Sequence, residues 1–322
     1  IRDSKYTFVW KKAVTKNQSK LFDKILVFVE ECENLYGFRI VHNGKVSLHT
    51  LKRLRKKLCR IRQEEGIVFV HGPGRRKTCL QKSIETLETY IAKLKEYTRK
   101  LHICGDRNSY SKTDPDATFM RMKEDAMLNG QLKPAYNLQH GVDSEYITWL
   151  DISPRPTDTR TLIPFLKDMG LYLPFKYREI VADAGYESEE NYLFLEGNGQ
   201  LAYIKPQNYE ISKTRKYGRD IGRMENMEYD EEADCYYCKN GQALTVQYEK
   251  EEKTASGYRR TVTVYRSSGC GGCPFKTGCI KGNNCKTPME ERQKVLYVSK
   301  KMKEKRQETL ERITSDYGTQ LR

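Results

Sequence analysis

The chain has 322 residues, of which 31% are charged, and a mean hydropathy of −0.78. That length accommodates two or three domains, each able to bury a core. No apolar run is long enough to span a bilayer, so membrane-embedded functions are excluded and a soluble protein is expected. The net charge of +15 is uneven: residues 1–110 hold 25 Lys and Arg against 11 Asp and Glu, and the rest hold 33 against 32. Such asymmetry fits a polyanion-binding arm on a more neutral body, with a solvated helical face as the alternative. No secretory signal opens the chain, which starts at Ile1 rather than Met within K-Y-T-F-V-W, so the natural N-terminus is expected upstream.

Three helices are predicted in the basic region, 1–108. Residues 17–35 place Leu21, Ile25, Leu26, Phe28 and Val29 at helical spacing. Residues 47–65 keep Leu51, Leu54, Leu58 and Ile61 on one stripe. The remaining surface carries Lys52, Arg53, Arg55, Lys56, Lys57, Arg60 and Arg62, the candidate phosphate contacts. After the G-P-G break at 72–74, residues 80–101 repeat the pattern with Ile84, Leu87, Tyr90, Ile91 and Leu94, and the arm is expected to fold back as a helical hairpin. Cys32, Cys59, Cys79 and Cys104 read as ordinary buried or half-buried thiols.

From residue 109 the pattern turns to short strands: the Asp114 segment, then 135–143 and 146–152. The helix T-R-T-L-I-P-F-L-K-D-M follows, then a strand ending at Asp183, the helix S-E-E-N-Y-L-F-L-E and a strand at 200–205. The order β-β-β-α-β-α-β is that of a ribonuclease H-like α/β core with a mixed sheet, expected over 109–205.

Asp114 in S-K-T-D-P-D-A and Asp183 in I-V-A-D-A-G-Y stand where predicted strands end. Phosphodiester chemistry needs the attacking and leaving oxygens stabilised on opposite sides of phosphorus, which two divalent ions about 4 Å apart accomplish when carboxylates hold them. Mg2+, or Mn2+, prefers such hard oxygen ligands. Asp116 and Asp143 compete with Asp114 for the first position, and a turn residue or helix cap is the alternative role for each. The five histidines show no H-E-x-x-H spacing, which argues against a zinc hydrolase.

Six of the ten cysteines fall between 235 and 285: C-Y-Y-C at 235–238, C-G-G-C-P at 270–274, then Cys279 and Cys285. Two CxxC pairs separated by a strand-rich stretch are the knuckles of a zinc ribbon, expected as an insertion over 206–288 that holds structural Zn2+; a disulfide framework is the alternative. Tyr209, Tyr217, Tyr236 and Tyr258 with Arg259 and Arg260 give this insertion a DNA-clamping reading beside a packing one. Residues 302–313 read as a helix in a C-terminal part of the core, 289–322.

K-Y-T-F-V-W-K-K at 5–12, T-D-P-D-A at 113–117, Y-N-L-Q at 136–139, A-D-A-G-Y at 182–186, E-N at 190–191 and the cysteine cluster occur in one order. In that order the chain resembles the DDE transposases of bacterial insertion sequences, in the subgroup with a late cysteine cluster, over nearly its whole length. The resemblance implies Asp114 and Asp183 as the first two acids of a catalytic triad. It implies Cys238, Cys270, Cys273 and Cys279 as zinc ligands, with Cys235 a rival for the first place and Cys285 free. The third acid, a Glu after Leu321-Arg322, is then expected beyond Arg322, with Glu189 and Glu190, which lie just after Asp183, poor substitutes for it, so the chain reads as truncated at both ends.

The implied function is DNA transposition: binding of terminal inverted repeats, metal-dependent phosphodiester hydrolysis and strand transfer to target DNA. It would be carried out by a homodimer or higher assembly in a bacterial cytoplasm, at the nucleoid. The alternative is a truncated, inactive DNA-binding remnant that lacks the third ligand.

Overall fold

The computed structural model describes residues 8–41, 46–122, 127–282 and 285–321; Lys5, Tyr6 and Thr7 of the first motif, His42 and Arg322 lie outside them. The fold is mixed α/β. It divides into two compact units, residues 1–138 with 152–156, and residues 139–151 with 157–322.

In the first unit, α1 (Lys11–Tyr36) buries Val14, Leu21, Ile25, Val29 and Cys32. It stops at Gly37, whose left-handed φ of 66° lets its N–H reach the Glu33 carbonyl. The next helix, α2 (Leu48–Glu64), starts in a capping box, where the Ser47 hydroxyl accepts from Thr50 N–H and the Thr50 side chain accepts from Ser47 N–H. Thr78 caps α3 (Cys79–Cys104) in the same way, accepting from Gln81 N–H. The stripes predicted from periodicity meet in one core that fully buries Leu51, Leu54, Leu58 and Leu87, each such burial stabilising by about 1.5–3 kcal/mol.

All three predicted helices are present, with two differences. The first begins earlier, at Lys11, because Val14 is buried in a small cluster with Cys104 and Tyr110. In place of a simple hairpin, α3 packs against both α1 and α2. Cys79 is exposed, not buried.

Strand β1 (Phe8–Trp10) pairs antiparallel with β2 (Ser109–Ser111), Val9 opposite Tyr110. Strand β3 (Thr118–Arg121) pairs with β4 (Leu132–Ala135), and the Phe8 and Phe119 rings lie 4.5 Å apart. These strands therefore share a unit with the helices, so the division falls at 138/139 where the sequence pattern places it at 108/109.

The second unit holds most of the hairpin β5 (Asn137–Asp143) and β6 (Tyr146–Ser153), then α4 (Leu162–Tyr172), β7 (Glu179–Ala182), α5 (Glu189–Gly197) and β8 (Leu201–Ile204). Strands β7 and β8 are parallel, Ile180 opposite Ala202, and α5 connects them. Leu162, Phe165, Leu166, Met169, Tyr192, Leu195 and Ile204 form their core. The second unit runs β-β-α-β-α-β, the strand expected at the Asp114 segment lies in the first unit, and β3 and β4 come in addition to the expected strands. Among the described residues β3–β4, β5–β6 and β7–β8 are separate pairs and not one mixed sheet. The β5–β6 hairpin keeps Val142, Tyr146, Ile147 and Leu150 exposed.

The cysteine-rich region builds a five-stranded antiparallel sheet from β9 (Glu228–Asp230), β10 (Cys235–Tyr237), β11 (Ala243–Lys253), β12 (Arg259–Ser267) and β13 (Val295–Val298). Tyr236, Leu244 and Tyr265 are buried beneath it. Strand β13 belongs by sequence pattern to the C-terminal part, yet it pairs with β12, Tyr265 opposite Leu296, so the sheet crosses the expected boundary at 288. The predicted C-terminal helix is α6 (Lys300–Thr314), capped by Ser299 and buried at Lys305, Thr309 and Ile313.

Candidate functional site

Asp183 directly follows β7 and caps a single 3-10 turn, Ala184–Tyr186. Its Oδ1 accepts the Gly185 N–H at 2.7 Å. This is the carboxyl end of a parallel strand, where open α/β sheets place ligands. Asp183 is exposed, and its Oδ2 has no protein donor among the described residues. A carboxylate with one oxygen anchored and the other facing outward is a suitable donor for a hard cation.

A second acid stands beside it. A Cβ added to Gly185 would lie 2.7 Å from Asp158 Oδ2 and 3.0 Å from Asp183 Oδ1, so the glycine lets two carboxylates approach the same turn. Buried Gln139 donates its Nε2 to Asp158 Oδ1 at 3.4 Å and accepts the Tyr186 hydroxyl. Burial, and then the charges of Asp158 and Asp183, push the Tyr186 hydroxyl up to about 12, so it remains a donor at neutral pH. Gln139, Asp143, Asp183 and Tyr186 all line one cleft of 630 Å³.

From sequence, Gln139 and Tyr186 are visible only as letters of short motifs, and nothing singles out Asp158. The available signal is its position just before α4, in T-D-T-R.

Asp114 lies in the first unit, in the turn after β2. Its Oδ1 accepts Asp116 N–H at 3.2 Å and its Oδ2 accepts the Tyr136 hydroxyl at 2.9 Å. That contact with Asp114 holds the Tyr136 hydroxyl above its ordinary pKa. The Arg107 guanidinium fastens the same turn, donating to the Pro115 carbonyl at 2.7 Å and the Asp116 carbonyl at 2.5 Å. Asp116 is exposed in this turn, and Asp143 ends β5. Glu189 and Glu190, set aside as third acids, hold other elements: Glu189 accepts the Tyr258 hydroxyl at 2.7 Å and the Ser299 hydroxyl, and Glu190 accepts the Ser256 hydroxyl.

Of the seven basic candidates on α2, Lys52, Arg53, Arg55, Lys56 and Arg60 are exposed. Lys57 is engaged by the fold, donating to the Arg39 carbonyl at 2.8 Å with its ammonium 4.8 Å from the Phe38 ring centre. Exposed Arg62 lies 4.2 Å over Phe69 and donates to the Ile67 carbonyl at 3.4 Å.

Cys238, Cys270, Cys273 and Cys279 line one cavity of only 20 Å³, whose lining includes neither Cys235 nor Cys285. Cys235 is buried in β10 and Cys285 is exposed. The knuckle turn after β10 is closed by Gly241 N–H to the Cys238 carbonyl at 2.8 Å, and Lys294 N–H donates to Cys270 Sγ at 3.3 Å. Burial pushes the Cys279 thiol up, against the charge of Lys294. The donor set fits a thiophilic ion, although among the described residues no three His, Cys, Asp or Glu side chains stand at metal-holding spacing. No described helix is long and apolar enough to cross a membrane.

No curated protein and no solved structure matches this chain. Residues 237–322 match the family model of the transposase DDE domain, beginning within the cysteine cluster and running through α6. The match supports a DDE-type transposase.

Proposed function

We propose that this chain is the transposase of a bacterial insertion sequence, which binds the element's DNA ends, hydrolyses phosphodiesters there and joins the freed 3′ hydroxyl to a target strand. The observation that carries this reading is the transposase DDE domain match over residues 237–322. Asp183 at the carboxyl end of β7, with one free carboxylate oxygen, supports it.

Asp114 and Asp183 would hold Mg2+ or Mn2+, which when bound stabilises the attacking and leaving oxygens. The chain's own groups fix those carboxylates: Gly185 N–H orients Asp183, while Tyr136 and Asp116 N–H orient Asp114. Exposed Lys52, Arg53, Arg55, Lys56 and Arg60 supply phosphate contacts, with Lys57 and Arg62 adding charge from anchored positions. Cys238, Cys270, Cys273 and Cys279 would hold a structural Zn2+ that folds the insertion and takes no part in the chemistry. A homodimer or higher assembly would pair the two ends.

The test is Mg2+- or Mn2+-dependent cleavage of duplexes carrying the element's ends. Cleavage by a chain extended past Arg322 through the expected Glu, lowered about 10³-fold or more by Asp183→Ala, the equivalent of several kcal/mol of transition-state stabilisation, is expected. DNA binding without cleavage under either metal would instead favour a non-catalytic DNA-binding protein.

A further inference from the structure

The first ten residues of α1 carry Lys11, Lys12, Lys16 and Lys20 and no acidic residue. This placement opposes the helix: lysines sit at the positive end of its dipole, and Trp10 at the N-cap offers no side-chain hydrogen bond. Lys12, Lys16 and Lys20 are exposed, on the face opposite buried Val14, Leu21 and Ile25, and none has an ion-pair partner among the described residues. Thr15, Ser19 and Asn108 line the same shallow groove as these lysines. Lys11 is held back, its ammonium donating to the Gly105 carbonyl and its N–H to the Asn108 carbonyl at 2.8 Å.

We infer that Lys12, Lys16 and Lys20, with the Ser19 hydroxyl, form a second phosphate-contacting face that grips one strand of duplex DNA, in addition to α2, while the Thr15 hydroxyl is taken up by the Lys11 carbonyl at 3.0 Å. The inference rests on the transposase reading and deepens it by assigning a DNA surface that the α2 stripe does not include. Charge complementarity selects the occupant. Three unpaired ammonium groups advancing about 6 Å per step along a helix suit a regularly charged polymer better than a single small anion. Ammonium and hydroxyl donors are point contacts and not the planar forks that read base edges, so the face would contact the backbone irrespective of sequence.

The experiment measures binding of the whole chain to a random-sequence duplex across a salt series, for the wild type, Lys12→Gln/Lys16→Gln/Lys20→Gln and the corresponding triple Arg variant. Every phosphate that the protein ceases to neutralise lowers the salt slope by about 0.9, so the Gln variant should show a slope smaller by about 2–3 and weaker binding to every duplex. The Arg variant, which keeps the charges, should bind as the wild type does. Circular dichroism and melting temperature separate this from unfolding, and exposed positions should leave both unchanged. Unchanged affinity and slope in a folded Gln variant would overturn this inference alone. A wild type that binds no duplex at low salt would overturn it together with the transposase reading.

Discussion

The Arg306 guanidinium clasps the Glu187 carboxylate with two hydrogen bonds, Nε to Oε1 at 2.6 Å and Nη2 to Oε2 at 3.0 Å. The Glu187 side chain is wholly enclosed, and it also receives Gln207 N–H at 2.8 Å and the Tyr192 hydroxyl at 3.3 Å. The pair thereby joins the segment just beyond Asp183 to α6, within the region that matches the transposase DDE domain.

The Arg306 side chain is half-buried while that of Glu187 is enclosed, so removing the cation strands a buried charge. Arg306→Ala is expected to cost about 3–5 kcal/mol of unfolding free energy in urea, because the Glu187 carboxylate stays buried without its cation. A decrease below about 1 kcal/mol, the size of a solvated surface pair, would show that Glu187 is reached by water.

Gly185 is the point at which Asp158 and Asp183 approach one turn. A methyl group there would meet Asp158 Oδ2 at 2.7 Å, so Gly185→Ala should push a carboxylate aside. Displacements of this order cost about 10²-fold in rate at positioned groups, and metal-dependent cleavage should fall accordingly while the melting temperature changes little. Equal cleavage by Gly185→Ala and wild type would mean that Asp158 yields freely and that the two acids are not coupled through this turn.

Zinc binding by the four cysteines that share a cavity can be read without any activity assay. Purified protein should carry one zinc ion per chain by elemental analysis, and Cys270→Ser should lose it, while Cys285→Ser should keep it. Chelation should lower the melting temperature of the wild type and leave that of Cys270→Ser unaffected. Zinc retained after Cys270→Ser would transfer the site to another ligand set.

Asp234 sets an acid limit on the five-stranded sheet. Burial opposes its charge, but hydrogen bonds from Lys300 at 2.6 Å and from Tyr265 and Tyr229 at 2.7 Å each together outweigh that and hold the carboxyl at about 2. With the folded value below the ordinary 3.8, its stabilisation is complete above the unfolded pKa and is lost as pH falls from about 4 towards 2. The gap in melting temperature between wild type and Asp234→Asn should therefore narrow over that window. A gap independent of pH would assign its effect to packing alone.

Local pattern alone determined the three helices of the basic region, the strand that ends at Asp183 and the helix after the cysteine cluster. The signal of the helices is i, i+3, i+4 apolar spacing, which acts within one or two turns of chain. The transposase resemblance was legible too, in the order of short motifs, and the match over residues 237–322 supports it at the level of a DDE-type transposase. Tertiary structure decided what lies between distant segments: the pairing of Phe8 with Ser111, the approach of Asp158 to Gly185, the clasp of Arg306 on Glu187, and the membership of the cysteine cavity. It also decided which basic residues of α2 are engaged, since Lys57 is tied to Arg39 by a turn of chain that no periodicity describes. Spacing along a sequence encodes neighbours on one element, whereas a hydrogen bond between remote residues depends on the path of every element between them.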